Sequence, residues 1–186
     1  FSGDVSALES LGGFRLDDPA GEVGLEGMLL TAGDDTVYYV PLSYRGAPLE
    51  GGEDFLVGTS EHGVLGTRWI SDAAGDPVYR QAIASIIAGG GRQAEEFVQD
   101  ASGNRVLREP AVRVQGTGRS TAQSPELADA TVEQVGALTR VSDDFAVLDI
   151  VRALDPELEP REDQYFLRAS WGEHGGQAIL AMLYAG

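Results

Sequence analysis

Only one stretch of this chain has helical spacing, and short strand-like runs surround it. Asp76-Pro77 places an N-cap residue before a proline at the first helical position, where the missing N–H costs nothing. Tyr79, Ile83, Ile86 and Ile87 then fall at i, i+4, i+7 and i+8, a single apolar stripe, and Gly89-Gly90-Gly91 stops the run. The spacing predicts a helix over 77–88, packed by that stripe on a sheet.

The remaining sequence reads as β. Gly21–Thr31 and Thr36–Tyr44 flank Ala32-Gly33-Asp34-Asp35, a connection of hairpin length made of turn residues. Pro41 lies inside the second run and predicts an edge strand or a bulge. Phe55–Thr59 and Val64–Ile70 pair around Ser60–Gly63, and Glu95–Gln99 and Arg105–Arg108 pair around Ala101–Asn104. Residues 115–126, polar and small, read as a loop. Val132–Arg140, Phe145–Leu154, Gln164–Trp171 and Gln177–Tyr184 follow as a meander. Strands with few helices between them imply an α+β fold and exclude a doubly wound sheet.

Composition removes whole classes of chemistry. All 13 basic residues among the 186 are Arg, so no Schiff-base lysine and no phosphate-binding lysine exist. With no Cys there is no disulfide framework, thiolate zinc site or cysteine nucleophile, and two His exclude a three-histidine metal site within one chain. Against those 13 Arg stand 30 acidic residues; the net charge of −17 argues against nucleic acid and anionic membrane as partners. No apolar run approaches the ~20 residues of a membrane span, and no signal-peptide pattern opens the chain, so the expected location is cytoplasmic. The chain starts at Phe1 rather than Met, which reads as a processed or trimmed product.

The tripeptide Glu-His-Gly occurs at Glu61-His62-Gly63 and again at Glu173-His174-Gly175, near Trp69 and Trp171. If the two segments met in space, two imidazoles and two carboxylates would face one divalent metal. The other reading, which two short matches without helical spacing favour, is a pair of ordinary turns in which His or Glu satisfies nearby backbone groups. In Arg68-Trp69-Ile70-Ser71, alternation separates Arg68 from Trp69; an exposed Trp beside Arg suits carbohydrate stacking, whereas a buried one is core. Asp17-Asp18 and Asp143-Asp144 are neighbours whose side chains diverge, which fits turn chemistry better than a general acid–base couple. Gly-x-Ser-x-Gly is absent, and Gly116-Thr117-Gly118-Arg119 does not read as a strand-to-helix phosphate turn.

Three strings carry a family likeness. They are Gly13-Phe14-Arg15-Leu16-Asp17-Asp18-Pro19-Ala20-Gly21-Glu22-Val23-Gly24, then Val40-Pro41-Leu42-Ser43-Tyr44-Arg45-Gly46-Ala47-Pro48-Leu49, then Gly58–Gly66 continuing to Arg68–Asp72 and Asp76-Pro77. In this order they span 12–88, and the region resembles the maltokinase N-terminal cap-like family. The resemblance implies a curved antiparallel sheet with one packed helix. In maltokinases that cap is fused to a kinase-like body that phosphorylates maltose with ATP. Val147–Leu154 faintly resembles the kinase strand that carries the phosphate-binding Lys; the matching position here is Asp149, whose carboxylate would repel phosphates. A catalytic lobe does not fit in the ~30 residues that remain after that strand, since the chemistry needs metal ligands and positioning groups.

The expected architecture is a curved antiparallel β-sheet with one packed helix over 1–91, followed by a second, mostly antiparallel β meander over 92–186 that resembles part of a kinase N-lobe and shares its core. The expected function is a non-catalytic binding or interaction module associated with maltose, trehalose or glycogen metabolism. Its partner is a sugar or a carbohydrate-metabolism enzyme, and its ligand-binding candidates are Glu61, His62, Arg68 and Trp69. No catalytic residue, metal ligand set or cofactor is assigned. The alternatives are a degenerate sugar-kinase-like or metal-dependent enzyme using Glu61, His62, Glu173 and His174, and a homodimerisation module using an exposed strand edge such as the one at Pro41.

Overall fold

In the computed structural model, Asp76 caps the helix α1 (Pro77–Gly89) by accepting from the Val78 N–H, and Gly90 ends it in the left-handed region at φ 67°. The structure describes residues 7–119, 124–172 and 175–186. The buried face of α1 is Tyr79, Arg80, Ile83, Ala84, Ile87 and Ala88. Ile86, expected in the stripe, is half-buried and packs at the margin of the core.

The first sheet contains β1 (Leu8–Leu16), β2 (Gly24–Ala32), β3 (Val37–Arg45), β4 (Leu56–His62) and β5 (Gly66–Asp72). They lie in the order β1-β2-β3-β5-β4, with the short β12 (Ala153–Leu154) also pairing β3. A small hairpin, β6 (Phe97–Gln99) with β7 (Arg105–Leu107), stands apart. The second sheet has the order β8-β13-β14-β11-β10-β9. Its strands are β8 (Val112–Gly116), β9 (Thr131–Val135), β10 (Leu138–Ser142), β11 (Ala146–Val151), β13 (Tyr165–Trp171) and β14 (Gly176–Ala185). All pairs are antiparallel. One helix against antiparallel sheets is the α+β architecture that the strand-and-turn pattern implies.

Four local readings change. Pro41 lies in an internal strand: β3 pairs β2 on one side, and β12 and β5 on the other. The side toward β12 and β5 has a gap, because β12 reaches Tyr38 while β5 begins opposite Leu42. Tyr39 donates its N–H to Arg152 O on that side, and the donor Pro41 lacks falls in the gap. Leu8–Leu16, not expected as a strand, pairs with β2 through a bulge between Ser10 and Gly12, where Gly12 takes φ 123°. Val132–Arg140 is two strands, folded back at Gly136 with φ 61°. Gln115 and Gly116, read as loop, belong to β8; a Cβ on Gly116 or Gly118 would collide with the carbonyls of Ile86 and Ala88 on α1. These glycines let the backbone run against the last turns of the helix.

The buried residues of both halves form one cluster, from Phe14, Leu25, Leu29 and Tyr39 through Tyr79, Ile83 and Ile87 to Val114, Leu148, Ile150, Leu167 and Leu180. Inside it the Tyr39 and Tyr79 hydroxyls meet at 2.9 Å. Burial pushes the Tyr39 pKa up to about 12 and drives that of Tyr79 well above its ordinary value.

Candidate functional site

The polar groups at the start of α1 form a seam between the two halves. Arg45 donates from Nε and Nη2 to the two carboxylate oxygens of Asp76, each at 2.7 Å. Asp76 is fully buried, so one carboxylate both caps the helix and holds a forked guanidinium. Arg152 donates to Asp72 Oδ1 at 2.8 Å and to Thr139 Oγ1 at 2.8 Å, joining β5 to β10. Buried Arg80 donates to the carbonyls of Ala74, Gly75, Ala128 and Ala130. These groups hold the fold together and bond to one another or to backbone.

Asp149 is in the same position. Its carboxylate accepts from Arg140 Nε at 2.7 Å and Nη2 at 2.9 Å, and from the Tyr184 hydroxyl at 2.8 Å. It is 3% exposed, so it forms a buried ion pair rather than a wall facing a nucleotide.

Beside the seam lies a cleft of about 510 Å³ between the Asp17–Ala20 turn and the outer side of α1. Pro19, Ala20, Val78, Ala82 and Ile86 give it an apolar lining. Among the described residues no aromatic ring lines it to stack a sugar, so it suits aliphatic side chains. The turn on its rim is rigid: the Asp18 carboxylate accepts the N–H groups of Ala20, Glu22 and Val23 at 2.9 Å each. Burial pulls the Asp18 pKa upward, but these three bonds and the nearby Arg45 hold it below the ordinary carboxylate value. Asp143 likewise accepts from Phe145 N and Ala146 N. Both acidic pairs are turn chemistry.

The ligand-binding candidates all lie on the β4–β5 hairpin. Glu61 and His62 are exposed, and as neighbours on a strand they leave opposite faces. Glu61 Oε1 accepts from Thr67 Oγ1 at 2.7 Å. His62 Nδ1 accepts from Val64 N at 3.3 Å and Leu65 N at 3.2 Å, so the His satisfies its own turn. Arg68 and Trp69 are half-buried; Trp69 sits between Arg45 and Thr59 in the pairing, outside the buried core. Glu173 and His174 lie outside the described residues, so the four-residue convergence has no description. Among the described residues no group of three or more His, Asp or Glu could hold a metal, and no helix is long and apolar enough to cross a membrane.

The first antiparallel sheet and the one α-helix among the described residues bear on what this chain resembles. Residues 1–76 match the family model of the maltokinase N-terminal cap domain. The cap-domain match ends at the residue that caps α1, and it covers all of the first sheet except β12. No curated protein matches the chain at a significant level. The cap domain is an N-terminal, non-catalytic part of maltokinase.

The sequence reading missed two features of this surface. Ile86, expected in the core stripe, packs against the core only in part and also lines the cleft. The hairpin turn is Gly63-Val64-Leu65 rather than Ser60–Gly63. The Gly63 and Gly66 that bracket Val64-Leu65 were the available signal for the second.

Proposed function

We propose that this chain is a non-catalytic interaction module of maltokinase-related carbohydrate metabolism, acting by docking on a partner enzyme. The observation that carries the reading is the cap-domain match over residues 1–76. The surface supports the protein-docking version: the charged groups of the seam bond internally, while an apolar cleft and an aliphatic hairpin tip face outward. Titration calorimetry of the full chain against purified maltokinase and against the trehalose- and glycogen-processing enzymes of its source tests it. Saturable binding to one of them is expected, and absence of binding to all of them overturns the reading.

A sugar-binding version draws support from Trp69, which is half-buried beside Arg68. It predicts a rise in melting temperature with maltose, glucosamine or glycogen; ligand at 100 times its Kd adds about 2.7 kcal/mol. No shift with any of the three removes it. The dimerisation alternative moves from Pro41 to β4, one of the two outer strands of the first sheet. Mass measured in solution tests that alternative.

A further inference from the structure

The tip of the β4–β5 hairpin breaks the usual rules for a turn. Its connection is Gly63-Val64-Leu65, closed by Gly66 at φ 70°. Turns favour Gly, Asn, Asp, Pro and Ser, and a β-branched residue is a poor choice there. Val64 is nonetheless 88% exposed and Leu65 58% exposed. Neither belongs to the core, so folding gives no reason for two aliphatic side chains at this apex.

The apex is also held in shape. Both bonds onto His62 Nδ1, from Val64 N and Leu65 N, require a lone pair there, which places the ring proton on Nε2. The arrangement imitates an Asx turn, with imidazole in place of a short amide or carboxylate. One rung below, Glu61 and Thr67 tie the two strands together across the opposite face. Residues 59–67 are exposed throughout, so the hairpin stands clear of the body. A stiff stem that presents two aliphatic side chains lowers the ordering cost of binding. A few well-buried side chains carry most of the energy of an interface, and aliphatic ones contribute by the apolar surface they remove from water.

The surrounding charge indicates the partner. Glu61 is on the stem, and Glu50, Glu53 and Asp54 lie exposed in the segment leading into β4. The hairpin's one Arg, Arg68, is half-buried. The chain as a whole carries −17, which disfavours a second copy as occupant.

We propose that Val64 and Leu65 are the anchor by which this chain docks into an apolar socket rimmed by Lys and Arg on a partner protein, with His62 as the positioning residue. This rests on the interaction-module reading only in requiring a protein partner.

The test uses the full chain in its source cells, with p-benzoylphenylalanine replacing Val64 or, as control, the exposed Glu157. Adducts are identified by mass spectrometry, and the protein found, together with purified maltokinase, is titrated with variants. Val64→Ser and Leu65→Ser are each expected to weaken binding ~10-fold or more. His62→Ala is expected to weaken it similarly, His62→Asn to restore it, and added salt to weaken it further. Amide exchange at Val64 and Leu65 in the free chain should accelerate in His62→Ala and not in His62→Asn.

A partner outside carbohydrate metabolism that shows this pattern supports the anchor and refutes the metabolic reading. Maltokinase binding that ignores Val64→Ser and Leu65→Ser refutes the anchor and leaves the metabolic reading standing. No adduct at position 64, an adduct only with a second copy, or exchange unchanged in His62→Ala also refutes the anchor.

Discussion

Arg80→Met is the substitution with the most to lose. Arg80 is 7% exposed, and its guanidinium donates to Ala74 O at 2.7 Å, Gly75 O at 3.1 Å, Ala128 O at 3.1 Å and Ala130 O at 2.9 Å. Desolvation by burial lowers its pKa from the ordinary value, with Asp76 and Asp129 opposing. Hydrogen bonds from a charged donor contribute about 1.5–3 kcal/mol each, and a carbonyl left without a partner in the interior costs about 1–3 kcal/mol. Against this, burying the guanidinium costs several kcal/mol, which Met avoids at similar length. The net loss expected is about 3–5 kcal/mol, as for breaking other buried charged networks. In a chain of 186 residues that corresponds to a fall in Tm of ~6–20 °C. Arg80→Lys should recover less than half, because one ammonium cannot span the carbonyls at 74–75 and those at 128–130. Urea titration and a thermal scan, both followed by far-UV circular dichroism, measure it. Arg80→Met within about 1 kcal/mol of the parent would refute the view that this side chain staples the two halves.

Further outcomes concern Asp18, the Tyr39–Tyr79 pair and Asp149. The Asp18 pKa is depressed in the fold, so its stabilisation is present above the unfolded carboxylate pKa and is lost as pH falls through the folded one; Asp18→Asn should therefore flatten the acid limb of a stability–pH curve below about pH 4. Tyr39 and Tyr79 have raised pKa values, so stability should fall once pH exceeds the unfolded tyrosine pKa near ~10. Tyr79→Phe should cost about 1–3 kcal/mol by leaving the Tyr39 hydroxyl without its partner, read by urea titration. Asp149→Ala should cost about 1–3 kcal/mol by removing the acceptor of Arg140 and of the Tyr184 hydroxyl. With that carboxylate engaged, titration calorimetry with Mg-ATP should give no micromolar binding; such binding in the unmodified chain, lost in Asp149→Asn, would revive the kinase-like alternative.

Features that depend on neighbours along the chain were legible before folding. Asp76-Pro77 and the glycines after Ala88 delimit α1 because caps and stops act within one turn. The Asx turns at Asp18 and Asp143 and the hairpin joining β2 to β3 likewise follow from residues a few positions apart. Whatever depends on approach between distant segments was decided by tertiary structure. Pro41 marks an edge in sequence, yet it sits inside a sheet because the gap between β12 and β5 leaves no acceptor waiting for its missing N–H. Gly12-Gly13 interrupts the alternation of β1, and only pairing with β2 makes that segment a strand. Gly116 and Gly118 look like linker glycines until α1 lies against them. Asp149 resembles a lost phosphate-binding position, but Arg140 and Tyr184, from the strands on either side of it, make it a structural ion pair. Val64 and Leu65 read as the start of a strand; their exposure comes from where the chain turns, since a hairpin closed three residues later moves them from strand to apex.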